Sequence, residues 1–242
     1  MSGSLRLECR EVSVRFGGVV ALAGVSISIE PGVVTAIMGP NGAGKTTLLN
    51  CISGTLTAHT GSIALGEEVV SSLPPRLRTK RGLVRSFQLT KIFGSLTTEE
   101  NIVLAAAAVD RALSRAQCDE IVELIKLERM RYRGASELSG GQRRLLEIGM
   151  CLAQEARFLL MDEPFAGLNP MMVNIVCEVI QFLAKRGVGV VLVSHEIPIV
   201  RKQADRVIVM AQGAVLVDGA PEAALSDPRV VESYIGGGVA HH

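Results

Sequence analysis

The sequence has no tryptophan, two tyrosines and an aromatic fraction of only 3%. Its apolar fraction is nonetheless 48%, with a mean hydropathy of +0.35. The core must therefore be aliphatic, and a large parallel sheet is the simplest structure that takes up so many such side chains. A buried partner surface would add to that demand. Long apolar runs are missing as well: none approaches the ~18 residues of a membrane span. The N-terminus carries Arg6, Glu8, Arg10 and Glu11 without an apolar stretch, so no signal peptide is expected. No C-x-x-C pair occurs among the five scattered cysteines, which suits a reducing cytosol and argues against disulfides and zinc. Neither sign of charge dominates. The net charge is +1, so there is no electrostatic footprint for nucleic acid, which is not expected as a partner. Internal repeats and low-complexity tracts are absent. At 242 residues the chain is one large domain or two small ones, long enough to bury a full core.

What is present centres on Gly39, Pro40, Asn41, Gly42, Ala43, Gly44, Lys45, Thr46 and Thr47, which fit the phosphate-loop pattern G-x-x-x-x-G-K-[ST]. Val33 to Met38 before it is a short, β-branched apolar run, as a buried strand should be. Thr47 to Ile52 after it has helical character. Strand, glycine loop and helix aim backbone N–H groups and a positive helix end at phosphates. In that setting Lys45 reaches the β- and γ-phosphates and the Thr46 hydroxyl binds Mg²⁺. A purely structural glycine turn is the competing reading.

Residues 5–30 alternate as antiparallel strands around a Gly17-Gly18 turn. Ile63 and Leu65 mark another short strand, and Ser71 to Pro75 a breaker. Residues 98–131 read as mostly helical, opened by a capping box at Thr97 and Glu100. Phe158–Met161 and Val188–Val193 read as buried strands. Between them Met172, Ile175, Val176, Val179, Ile180 and Leu183 trace an amphipathic helix, ended by Lys185, Arg186 and Gly187. Val207 to Asp218 reads as a hairpin around Gln212-Gly213. Strands alternating with helices predict a parallel, helix-covered sheet.

Asp162 and Glu163 end the Phe158–Met161 strand, where ligands of open α/β sheets gather. An acid there can hold Mg²⁺, and a second beside it can orient or deprotonate an attacking water. Alternatively the pair caps the turn at Pro164. In Leu138-Ser139-Gly140-Gly141-Gln142, Ser139 and Gln142 form a capping box for the helix of Leu145, Ile148 and Leu152. That leaves unexplained two glycines in the first turn, which weaken a helix. Bare N–H groups at a helix N-terminus make a second anion site.

These motifs, in this order, resemble the ATP-binding subunits of ABC transporters over nearly the whole chain. Gly39–Thr46 is similar to the Walker A loop, Leu138–Gln142 to the signature sequence, and Asp162-Glu163 to the Walker B aspartate and catalytic glutamate. Gln88 matches the Q-loop glutamine and His195 the switch histidine. Phe16 falls where the family stacks an aromatic on adenine, although an ordinary strand aromatic would look the same. The position usually held by the D-loop aspartate is Asn169, which with Pro170 also reads as a plain helix cap. The competing reading of His195 is a residue that simply follows its strand into a turn. His59 has no motif around it, and His241-His242 resemble a purification-tag remnant.

The resemblance implies a single ATP-binding domain over 1–242: an α/β P-loop NTPase (RecA-like) core with a parallel sheet, an N-terminal antiparallel β subdomain, and a helical signature subdomain inserted at about 89–154. It implies ATP and Mg²⁺, with Thr46, Gln88 and Asp162 around the metal, Glu163 activating water, and Gln88 and His195 sensing the γ-phosphate. Ser139, Gly140, Gly141 and Gln142 would face the ATP of a second copy, identical or not, in an ATP-dependent dimer. The loop from Gln88 to Asn101, with Ile92, Phe93 and Leu96, would dock transmembrane permease subunits, unless Phe93 merely packs on the following helix. An extracytoplasmic solute-binding protein would be an indirect partner, and the subunit would lie peripherally on the cytoplasmic face of the plasma (inner) membrane. Phe16-Gly17-Gly18 with Ala21-Leu22, Val84–Gln88, Gln142–Ile148 and Glu163–Pro170 look like branched-chain amino-acid and related importers. Lipopolysaccharide-export ATPases share that flavour. A non-transport ABC ATPase is disfavoured, because Lys45 to Leu138 holds neither sustained heptads nor cysteine pairs.

Overall fold

The computed structural model describes residues 5–86 and 92–236. The chain opens with the hairpin β1 (Leu7–Phe16) and β2 (Val19–Ile29), then β3 (Val34–Met38) and α1 (Lys45–Ser53). Next come β4 (Thr60–Leu65), β5 (Glu68–Val69), α2 (Pro75–Lys80) and β6 (Leu83–Arg85). Helices α3 (Thr98–Ala107), α4 (Arg115–Leu124) and α5 (Gly140–Ala153) follow. The chain then alternates through β7 (Phe158–Asp162), α6 (Pro170–Lys185), β8 (Gly189–Val193), α7 (Ile197–Gln203), β9 (Arg206–Ala211) and β10 (Ala214–Gly219). Two further helices, α8 (Pro221–Leu225) and α9 (Pro228–Gly236), end the described chain.

The strands form two sheets. One is antiparallel, in the order β2-β1-β4-β5; the other runs β10-β9-β3-β8-β7-β6 and is parallel except for the β9–β10 hairpin. Every residue of β3 and β8 is buried, as expected for central strands covered on both faces. Strand alternation divides their side chains between two cores. Val34, Ala36 and Met38 join α3 to α6 on one face, while Ile37 joins α1 and the antiparallel sheet on the other. Helix α1 is thus held between the two sheets, with its N-terminus at the carboxyl end of β3. Cys9, Cys51, Cys118 and Cys177 are free thiols.

Helical spacing is interrupted within 98–131. Helix α3 stops at Ala107, Asp110 takes a positive φ of 62°, and Ser114 with Gln117 opens α4 by a capping box of its own. Lys126 at φ 56° closes that helix, and the apolar residues the spacing joined lie on separate helices packed into one core. The breaker at Ser71–Pro75 leads into α2, whose Arg78 is 2% exposed. Its guanidinium donates to the carbonyls of Cys51 (2.7 Å) and Ile52 (2.8 Å) in the last turn of α1, and to those of Leu73 and Ser71.

Candidate active site

The phosphate loop leaves β3 through Gly39 at φ 144°, where an added Cβ would strike the Met210 carbonyl. It enters α1 through Gly44 in the left-handed region, where a Cβ would lie 2.5 Å from the Ala21 carbonyl. Both glycines are therefore required by conformation and by close approach. Thr46 is exposed at the first turn of α1. Lys45 folds over the loop and donates to the carbonyls of Gly39 (2.7 Å) and Pro40 (2.9 Å). Burial lowers its pKa, and the nearby charges of Glu163 and Asp162 oppose the fall.

Tyr234, on α9, reaches the same loop: its hydroxyl oxygen accepts the Gly39 N–H at 2.9 Å. Burial raises the Tyr234 pKa, the bond from Gly39 opposes this, and the charge of Glu163 adds to the rise. A cavity of about 660 Å³ opens beside the loop, lined by Pro40, Asn41, Gly42, Gln212, Arg229 and Glu232 among others. Sequence reasoning missed Tyr234. No local motif surrounds it, and 195 residues separate the bonded pair.

Asp162 and Glu163 lie where β7 ends, and each is held by an arginine. The Asp162 carboxylate accepts from buried Arg85 of β6 at 3.1 Å. The Glu163 carbonyl accepts from Arg144 of α5 at 2.9 Å. Glu163 adopts φ 48° and its N–H donates to the Val193 carbonyl at 2.9 Å, which turns its side chain off the strand path. Its carboxylate lies 3.0 Å from Nδ1 of His195, just beyond β8. The hydrogen bond to Glu163, and then its charge, raise the histidine pKa. Lys45, Asp162, Glu163 and His195, from three segments far apart in sequence, thus share one face. The pair also engages side chains rather than only capping the turn at Pro164.

Ser139 and Gln142 form the expected capping box: Ser139 Oγ accepts the Gln142 N–H at 3.3 Å, and Gln142 Oε1 accepts the Ser139 N–H at 2.9 Å. The two glycines between them differ. A Cβ on Gly141 would meet the Met172 sulfur of α6, so a larger residue there requires that flexible side chain to move. A Cβ on Gly140 would meet nothing within 4 Å, so no packing within the subunit explains that one. Asn169 caps α6, accepting the Met172 N–H at 3.0 Å, with Pro170 at the first helical position.

Phe16 ends β1 at the Gly17 turn and is 53% exposed, so the core does not claim its ring. Gln88 lies outside the described residues. In the loop after it, Phe93 is 49% exposed. The loop backbone is fixed by buried Asn101: its Oδ1 accepts the Phe93 N–H at 2.8 Å, and its Nδ2 donates to the carbonyls of Phe93, Leu96 and Thr97. Val103, Leu104 and Tyr132 expose further apolar surface, and Leu96, Val103, Leu104 and Tyr132 border one shallow cavity.

A glycine-loop strand-to-helix junction facing strand-end carboxylates, on a parallel sheet with an antiparallel β sheet packed over it, is the architecture of an ATP-hydrolysing cassette. The family model for the ABC transporter matches residues 22–166, and the chain belongs to that family. Among its relatives are the probable branched-chain amino acid transport ATP-binding protein LivG of Archaeoglobus fulgidus, 34% identical over 95% of both chains. The high-affinity branched-chain amino acid transport ATP-binding protein BraF of Pseudomonas aeruginosa is 34% identical over 95% of this chain and 97% of its own. A nucleotide-free ATP-binding cassette from an ABC transporter superposes with a TM-score of 0.85, at 31% identity over 96% of this chain and 99% of the other. A cassette in its ADP conformation gives 0.85 at 32% identity over the same shares. The expected family, the α/β P-loop fold and ATP hydrolysis are thereby established, and membership implies cassette dimerisation and permease partners. Among the described residues no helix is long and apolar enough to cross a membrane.

Proposed function

We propose that this chain is the ATP-hydrolysing subunit of an importer for branched-chain or related amino acids, working peripherally at the cytoplasmic face of the plasma (inner) membrane. The observation that carries the site assignment is the 3.0 Å contact between Glu163 and His195 on the face that Lys45 senses. The substrate reading is supported by relatives named for branched-chain amino acid transport that align over nearly the whole chain.

The arrangement suits phosphate chemistry. Lys45 exchanges the Gly39 and Pro40 carbonyls for the β- and γ-phosphates, beside N–H groups at the α1 N-terminus. The exposed Phe16 ring offers a stacking surface for adenine. Glu163 accepts a proton from the attacking water, and His195, hydrogen-bonded to it, holds the carboxylate in place and contacts the γ-phosphate. Gln88 is assigned to the same γ-phosphate and metal shell. Thr46 and Asp162 supply an oxygen-only donor pair, which fits Mg²⁺. Phosphate oxygens and water would complete its shell. Bound there, Mg²⁺ would neutralise developing phosphate charge.

Ser139, Gly140 and Gly141 of a second copy close over the γ-phosphate. Gly140 supports this reading, since it weakens the α5 start without any packing reason within the subunit. The helical subdomain at 89–154 and the loop bearing Phe93 then carry the movement to permease subunits. Reconstitution with the permeases and the extracytoplasmic solute-binding protein tests the whole. ATPase activity should rise when the binding protein is loaded with leucine, isoleucine or valine. Stimulation by other solute classes, with none by these, would remove the substrate assignment.

A further inference from the structure

Arg85 is the last residue of β6, and its side chain is 1% exposed. A guanidinium so deeply buried needs a charge partner and satisfied donors. One terminal nitrogen donates to Asp162 Oδ2 at 3.1 Å. The other donates to Asn50 Oδ1 at 2.5 Å and Ser53 Oγ at 3.2 Å, both on α1, the helix that starts at the phosphate loop. The remaining nitrogen, Nε, has no partner. The planar fork is therefore pinned from the α1 side and presses one donor against one oxygen of the carboxylate. Neither the motif at Asp162-Glu163 nor the hydropathy of Leu83–Arg85 points to this link, which joins residues 77 apart in sequence.

We propose that Arg85 is a positioning residue for Asp162: it occupies Oδ2, fixes the carboxylate plane, and leaves Oδ1 aimed at the metal that arrives with ATP. This rests on the assignment of Asp162 to the Mg²⁺ shell. Lysine at position 85 would keep the charge but gather its donors on one nitrogen at the end of a flexible stem, so it lacks the planar fork that holds α1 and Asp162 in one fixed geometry. The carboxylate would then be attracted yet free to turn. Partners that orient a metal ligand in this way typically matter about 10–100-fold for metal affinity.

The test is nucleotide affinity of the full chain, measured with a fluorescent ATP analogue in EDTA and then across a MgCl₂ titration. Arg85→Lys should match wild type in EDTA and need about tenfold more Mg²⁺ for half of the metal-dependent gain. A merely structural role would instead lower both affinities together. A folded Arg85→Lys protein with the wild-type Mg²⁺ response overturns the proposal. If Arg85→Lys does not fold, Asn50→Ala, which frees the other side of the fork, is read by the same criterion. Asp162→Asn separates the two layers. Should it keep the Mg²⁺-dependent gain, the metal assignment of Asp162 fails; should it lose the gain while Arg85→Lys keeps it, only the role of Arg85 fails.

Discussion

Replacing Phe93 by alanine separates docking from packing. The side chain is 49% exposed, so about half of it is withdrawn from water. A fully buried phenylalanine covers roughly 150–250 Å², so this one hides about 100 Å². At ~25 cal/mol per Å² that burial is worth about 2.5 kcal/mol. The alanine Cβ keeps part of it and the unfolded chain already hides some, so the loss should be at most about 2 kcal/mol. A core phenylalanine would lose about 3–5 kcal/mol. The loop backbone should stay in place, because the carboxamide of Asn101 binds the Phe93 N–H and carbonyl regardless of the ring. For a chain of this size 1 kcal/mol moves Tm by about 2–4 °C, so the isolated variant should melt less than about 8 °C below wild type. Its basal ATPase should be near normal. Transport and permease-stimulated ATPase in the assembled complex should be lost. A drop of about 15 °C in the isolated subunit, or full transport by the variant complex, would refute the docking role.

Glu163→Gln should bind ATP normally but turn over about 10²–10⁴-fold more slowly, and should become dimeric with ATP in light scattering; near-normal turnover would remove Glu163 from the chemistry. The His195 titration, followed by NMR, should have its midpoint above the ordinary histidine value, because the Glu163 carboxylate favours imidazolium. The small stabilisation that goes with it is complete below the unfolded histidine pKa and is lost as pH rises through the folded one. In Glu163→Gln the midpoint should fall toward the ordinary value, and an unmoved midpoint would contradict the contact. Gly140→Ala should leave the isolated subunit as stable as wild type or up to about 1 kcal/mol more so, while ATP-driven dimerisation of the Glu163→Gln background weakens. Gly141→Ala requires the flexible Met172 side chain to swing aside, so it should gain less stability than Gly140→Ala. Equal effects of the two alanines in both assays would sink the distinction between them.

The parts legible in sequence were those whose causes are local. Gly39–Thr47, the capping boxes at Thr97/Glu100 and Ser139/Gln142, and the Asn169 cap each close within a few residues, so spacing alone reveals them. The carboxyl-end position of Asp162-Glu163 followed from a strand buried on both faces. What spacing could not supply was the long-range part. The bond from Gly39 to Tyr234 and the clamp of Arg85 on Asp162 depend on sheet order and helix docking, which bring together residues 195 and 77 apart. Strand β6 is three residues long, too short for a period to register, and it ends in a charged residue that hydropathy assigns to the surface. The break between α3 and α4 was hidden because apolar residues on both helices feed the same core and keep helical spacing across the gap.

The cation at the far end of α1 has a consequence for how the empty and loaded states differ. Arg78 lies on the carbonyls of Cys51 and Ile52, where the partial negative charge of the helix collects. A phosphate at the opposite end, about 13 Å away along nine residues, would put an anion and a cation in series with the peptide dipoles. When nucleotide departs, only one pole is uncovered. The blind end stays wired to a fixed counter-charge, so only one terminal of the helix is left open to a change of ligand. On the proposed assignment, exchange of nucleotide would act on the glycine loop and Lys45 at one pole of α1, while the other pole keeps its fixed counter-charge.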